Sequence, residues 1–223
     1  MPAGSAAAFS GIKAAIFDLD GTLIDSMGVW GKIDADFLAK RGIALPDDYA
    51  AKLSALGFRE AAEYTIERFG FQESADMLID EWNAMAIDEY THRIALKPHA
   101  KEYLMELKER GIKLGVATSL HPALYEAVLK NNGVYDYFDV ICSTGEVARG
   151  KEFPDVFLRA AELMNTAPGS CLVFEDLLQA MRAAKLAGMK ICGVFDASSN
   201  AHWEEIQRLA DGVILDFKDA PRL

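Results

Sequence analysis

Residues Ala14–Ser26 read AAIFDLDGTLIDS, and the reading of this stretch decides the fold. Four apolar residues in a row match a strand buried on both faces, and two aspartates, one residue apart, follow at its end. Leu19 between them points to the opposite side of the strand, which leaves Asp18 and Asp20 facing the same way. Gly21 lets the chain turn tightly just after them. A buried carboxylate is costly to desolvate unless a cation, a donor or a reaction requires it. The two aspartates therefore mark either a site or an exposed turn closed by an Asx bond.

Working outward, strand-like apolar runs recur at Lys113–Ala117, Val140–Cys142, Cys171–Phe174, Lys190–Val194 and Val213–Leu215. Helical patterns separate most of them: Ala100–Arg110 up to Gly111, Pro122–Asn131, Asp155–Met164, and Leu177–Ala187 up to Gly188. Proline near a helix start and glycine past its end punctuate these segments. Strand and helix in alternation predict an α/β fold with a Rossmann-like parallel sheet. Residues 26–92 break the rhythm. They hold no convincing strand, and Val29, Trp30, Ile33, Phe37 and Leu38, then Ala62, Ile66 and Phe69, then Leu78, Trp82, Met85 and Tyr90 recur at helical spacing. The pattern predicts an all-helical insertion at 26–92 within an α/β core made of 12–25 and 93–223, preceded by a flexible tail at 1–11.

The chain has 223 residues, enough for one large domain or a domain carrying a smaller insertion. A formal net charge of −11 argues against nucleic acid or an anionic membrane as partner. A small anionic substrate is compatible, because a local cation reverses the sign within one cleft. Cys142, Cys171 and Cys192 form no CxxC pair and sit in or beside apolar runs, as buried thiols in a reducing cytoplasm do. No apolar stretch approaches the length of a membrane span.

In open α/β sheets ligands collect beyond the carboxyl ends of the strands. Four such ends here carry polar residues: Asp18-Leu19-Asp20-Gly21-Thr22, Thr118-Ser119, Gly150-Lys151 after a short loop, and Glu175-Asp176. Each has a plain structural reading: a turn, a helix cap, a solvated lysine, acids complementing a helix dipole. All four together, at successive strand ends, point to one convergent site. Phe195-Asp196 ends the next run, and Asp196 reads as a turn or helix cap.

These segments resemble the haloacid dehalogenase superfamily of phosphoryl-transfer enzymes. The matching motifs are FDLDGTL at Phe17–Leu23, VATS at Val116–Ser119, GKEFPDVF at Gly150–Phe157, and FED at Phe174–Asp176 with the later AAKLAGM. They follow the family's order and span nearly the whole chain, and the insertion matches the family's small helical cap. The nearest branch is that of the phosphatases and β-phosphoglucomutases. The resemblance implies a Mg²⁺-dependent phosphatase acting on a small phosphorylated metabolite. Asp18 is then the nucleophile that forms an aspartyl-phosphate, and Asp20 the general acid and base. Asp18 and Asp176 bind Mg²⁺ by side chain, Asp20 by its backbone carbonyl, and Glu175 directly or through water. Thr118 and the Ser119 N–H hold phosphate oxygens beside Gly21, and Lys151 offsets charge on nucleophile and phosphoryl group.

The chain departs from the family pattern at several places. Leu177 and Ala180 replace the serine and glycine that commonly follow the acidic pair, Leu120 an asparagine, Glu152 a proline and His99 a glycine. Trp30 stands where mutases carry a histidine, which favours hydrolysis over the mutase alternative. Asp20 and the implied metal site argue against C–Cl dehalogenation, and Asp20 and the surroundings of Lys52 against a phosphonatase. The intact acids and lysine argue against an idle binding protein on the same fold. Substrate choice is expected in the cap, with Trp30 and Met27 lining the leaving-group side. In SALGFRE, Ser54–Glu60, Gly57 breaks the helix and Arg59 is a candidate contact for a second anionic group or a solvent-facing first-turn residue. A monomer is expected.

Overall fold

The computed structural model describes residues 9–53, 56 and 58–223. It divides into two compact units, one running through Met27 and resuming over Ile94–Leu223, the other Gly28–Arg93.

The first unit is built on a six-stranded sheet: β1 (Ala14–Phe17), β2 (Lys113–Thr118), β3 (Val140–Ser143), β4 (Cys171–Glu175), β5 (Lys190–Val194) and β6 (Gly212–Ile214). The order is β3-β2-β1-β4-β5-β6 and every pairing is parallel. This is the α/β class that the sequence predicts. The second unit is all helical: α1 (Val29–Ala39), α2 (Tyr49–Leu53), α3 (Phe58–Phe69) and α4 (Ala75–His92). Five helices complete the first: α5 (Ala100–Glu109), α6 (Pro122–Asn131), α7 (Asp155–Leu163), α8 (Leu178–Leu186) and α9 (Trp203–Leu209).

The period-two alternation of β1 divides the core. Ala14 and Ile16 join Val173, Ile191, Phe157 and Met181 on the face covered by α7, α8 and α9. On the other face Phe17 stacks on Phe174 with centroids 4.6 Å apart, and Tyr103 of α5 and Phe217 close around them. All four residues of β1 are fully buried, which is why its sequence carries no polar residue until Asp18. In the helical unit, Ile33, Phe37, Leu38, Leu78, Trp82 and Tyr90 are buried, and Phe37 meets Trp82 edge-on at 5.5 Å.

Three strands run one residue further than their apolar runs. Thr118 pairs with Ser143, and Glu175 with Gly193, so polar residues close the ladder where it meets the site. β6 ends at Ile214, and Leu215 is exposed rather than part of the strand. Phe9, included in the flexible tail expected at 1–11, is buried. Residues 1–8 of that tail lie outside the described residues. All three cysteines are free and buried. No helix among the described residues is long and apolar enough to cross a membrane.

Candidate active site

β1 lies between β2 and β4, where the order of strands reverses; the crevice at such a switch point is the ligand position of open α/β sheets. The β1–β4 register sets Phe17 opposite Phe174, and the Asp18 amide donates to the Phe174 carbonyl at 3.0 Å. Asp18 therefore leaves β1 alongside Glu175 and Asp176 leaving β4. Lys151, from the segment before α7, inserts its ammonium between two of these acids. It contacts Asp18 Oδ1 and lies 2.7 Å from Glu175 Oε2. Asp18, Lys151, Glu175 and Asp176 are all buried.

One oxygen from each of Asp18, Glu175 and Asp176 lies within 4.8 Å of the others. One ammonium does not neutralise this acidic group. Burial first, and the Glu175 charge next, push the Asp18 carboxyl above the usual carboxylate range, against the pull of Lys151. Asp176 is raised for the same reasons, with Asp18 adding repulsion. Burial opposes the Lys151 charge, but Asp18 and Glu175 outweigh it and hold its pKa above that of an ordinary lysine. The cluster is short of positive charge, a deficit that a divalent cation supplies.

The donor set fits such an ion. It is all oxygen, which suits a hard cation such as Mg²⁺ rather than a thiolate- or imidazole-preferring metal. Asp176 Oδ1 accepts from the Thr22 hydroxyl at 3.0 Å, whereas Asp176 Oδ2 is buried with no hydrogen-bond partner among the described residues. A Cβ added at Gly21 would stand 2.6 Å from that same Oδ2. The glycine backbone and the unpartnered oxygen thus form a cradle that tolerates no side chain.

The remaining candidates sit around this centre. Asp20 follows Leu19, which is wholly buried, and accepts from the Ser26 hydroxyl at 2.5 Å. Its charge is one of those that raise the Asp18 pKa. Thr118, buried at the end of β2, accepts from the Leu120 amide at 3.1 Å. Ser119 is exposed and shares with Lys151 the wall of a 620 Å³ cavity that Leu177, Arg182 and His202 also line. Leu177 is the cap residue of α8 and makes no side-chain cap; Glu175 Oε1 accepts from the Asp176 and Leu177 amides instead, at 3.2 and 3.0 Å. Ala180, on α8, is buried in the core.

Two candidates belong to the helical unit. Trp30 is in the first turn of α1 and 42% exposed. Arg59 is exposed in the first turn of α3 and paired with Asp76, so an acid of its own unit already matches its charge. Gly57 lies outside the described residues. Sequence reasoning assigned no contact to Thr22 or Ser26, whose hydroxyls hold Asp176 and Asp20. The signal was present in the Gly-Thr after the aspartates, but it reads equally as turn chemistry.

The family model of the haloacid dehalogenase-like hydrolases matches residues 15–194. The protein CbbY of Rhodobacter capsulatus is 30% identical over 81% of this chain and 84% of its own length. Hexitol phosphatase B of Escherichia coli K12 is 30% identical over 80% and 82%. Among solved structures, CbbY from Rhodobacter sphaeroides in complex with phosphate superposes with a TM-score of 0.72 at 25% identity, over 92% of this chain and 95% of its own.

Proposed function

Because the chain belongs to the haloacid dehalogenase-like hydrolases and is a phosphoric monoester hydrolase, we propose that it hydrolyses a small phosphorylated metabolite, such as a sugar phosphate, through an aspartyl-phosphate on Asp18 with Mg²⁺ bound. The observation that carries this reading is the buried group of Asp18, Glu175 and Asp176 with Lys151 against it and one Asp176 oxygen unpartnered. That group is suited to an anion only once a cation has joined it.

Asp18 and Asp176 would hold Mg²⁺ by side chain and Asp20 by its carbonyl, with Glu175 beside them. When bound, the ion supplies charge neutralisation for the phosphoryl oxygens. Asp18 attacks phosphorus while Lys151 offsets the negative charge of nucleophile and phosphoryl group. Thr118 and the Ser119 N–H steady the phosphoryl oxygens. Asp20 gives its proton to the departing alkoxide and then takes one from the water that attacks the aspartyl-phosphate. The Ser26 hydroxyl orients Asp20 for both steps.

The test is phosphate release from a panel of phosphomonoesters with Mg²⁺, run beside Asp18→Asn. The wild type is expected to turn over at least one sugar phosphate. The variant should fold normally and lose activity by at least about three orders of magnitude, as removal of a nucleophile does. Equal phosphate release by the two proteins contradicts the assignment.

A further inference from the structure

The helical unit contains a cavity of 390 Å³, within the range of small-molecule sites at about 300–1,000 Å³. Trp30, Leu53, Leu56, Ala61 and Trp82 supply mostly apolar walls, and Asp34 of α1 supplies a carboxylate. Asp34 is 8% exposed and has no hydrogen-bond or ion-pair partner among the described residues. Buried acids are ordinarily paired, because an isolated carboxylate loses its hydration for nothing in return. Burial indeed pushes Asp34 up to about 6, so at neutral pH it is ionised at a penalty.

Among the described residues no side chain pairs with Asp34. Tyr49 is near enough to feel its charge, but its hydroxyl lies 2.7 Å from Thr65 Oγ1. Thr65 in turn donates to the Ala61 carbonyl at 2.7 Å, so the Tyr49 proton goes to Thr65 and not to Asp34. Lys32, two residues before Asp34, is engaged by Asp36 and Glu89. A metal ion is a poor candidate, since hard divalent cations require several oxygen ligands and this cavity has one carboxylate.

We propose that this cavity is a binding site for an organic ammonium group on an apolar stem. The ammonium pairs with Asp34 and restores the charge balance that the fold leaves open. Trp30, 42% exposed in the same wall, favours a cation over a neutral donor through attraction to its π-system, and the leucines receive the stem. The proposal is argued from the helical unit and does not rest on the phosphatase reading, although Trp30 is also the residue expected to line the leaving-group side.

Two probes of equal shape separate the charge from the apolar contact: phenethylammonium chloride and phenethyl alcohol. Calorimetric titration of the full chain near pH 7.5 is expected to give saturable ammonium binding at least about tenfold tighter than alcohol binding. Asp34→Asn should bring the two affinities within about twofold of each other, and Trp30→Ala should weaken both. Absence of ammonium binding, equal affinity for both probes in the wild type, or undiminished discrimination in folded Asp34→Asn overturns the proposal. The wild-type comparison decides the matter even where a variant folds poorly.

Discussion

Gly21 shows how one missing side chain shapes the site. Its φ is +78°, in the left-handed region, and an added Cβ would meet Asp176 Oδ2 at 2.6 Å and Met27 Cγ at 3.1 Å. Gly21→Ala is therefore strained twice, by backbone and by contact, and should lose about 1–3 kcal/mol of stability. Asp176 must also move, so the variant should lose most of its response to Mg²⁺. Urea unfolding with and without the ion measures both effects, and an unchanged response contradicts the close approach. Asp34 gives a prediction in pH. Its folded pKa of about 6 lies above the ordinary value of 3.8, so the folded state retains a proton that the unfolded chain has lost. The contribution is full below pH 4 and disappears as pH rises through 6, leaving an ionised, poorly solvated carboxylate. About two pKa units correspond to about 3 kcal/mol, which water at the cavity mouth reduces to about 1–2. Asp34→Asn should thus exceed the wild type by about that amount at pH 7.5 and match it near pH 4, by urea unfolding. The sequence made the meeting of Asp18, Lys151, Glu175 and Asp176 legible because the three acids lie at strand ends and Lys151 in the loop that leads from β3 to α7. Asp34 was not legible. Its surroundings come from α1 to α4, and apolar residues at helical spacing do not reveal which acid turns inward.

At the scale of elements, the strands were readable because a parallel sheet buried on both faces demands continuous apolar runs. Their last residues were not, since Thr118, Ser143 and Glu175 continue the ladder with polar side chains. Turn chemistry was partly hidden as well. His99 caps α5 at φ +59°, a conformation that glycine adopts without strain, and its ring is 2.7 Å from Asp216 across a separation of 117 positions. Nothing local in the sequence announces that partner. The start of α8 offers a stability test. Leu177 occupies the cap position with no hydrogen bond from its side chain and is 48% exposed. Leu177→Ser should stabilise the protein by about 0.5–1 kcal/mol, since a hydroxyl there accepts a free amide of the first turn. Thermal unfolding reads this as a rise of about 1–4 °C for a chain of this size. A fall in the midpoint would show that the leucine contributes more by packing than the absent cap takes away.

For the whole molecule, a cation held by the acidic group would make folding and its binding one equilibrium. An ion that joins Asp18, Glu175 and Asp176 only when β1 and β4 are side by side stabilises the folded chain alone. Mg²⁺ at a hundred times its dissociation constant should add about 2.7 kcal/mol. That corresponds to a rise of about 5–11 °C in the unfolding midpoint, reversed by a chelator. A midpoint indifferent to Mg²⁺ counts against metal binding at this cluster. The central place of β1 has a further consequence, for the order in which the protein is made. Its two neighbours are β2 and β4, and Thr22 must wait for Asp176, 154 positions later in the chain. At about 5–20 residues per second, a ribosome leaves that interval open for roughly 8–30 s. The helices of Gly28–Arg93, which form a compact unit, emerge within it. A nascent chain halted before Cys171 holds its most apolar strand with one side bare, the condition that invites chain-to-chain pairing.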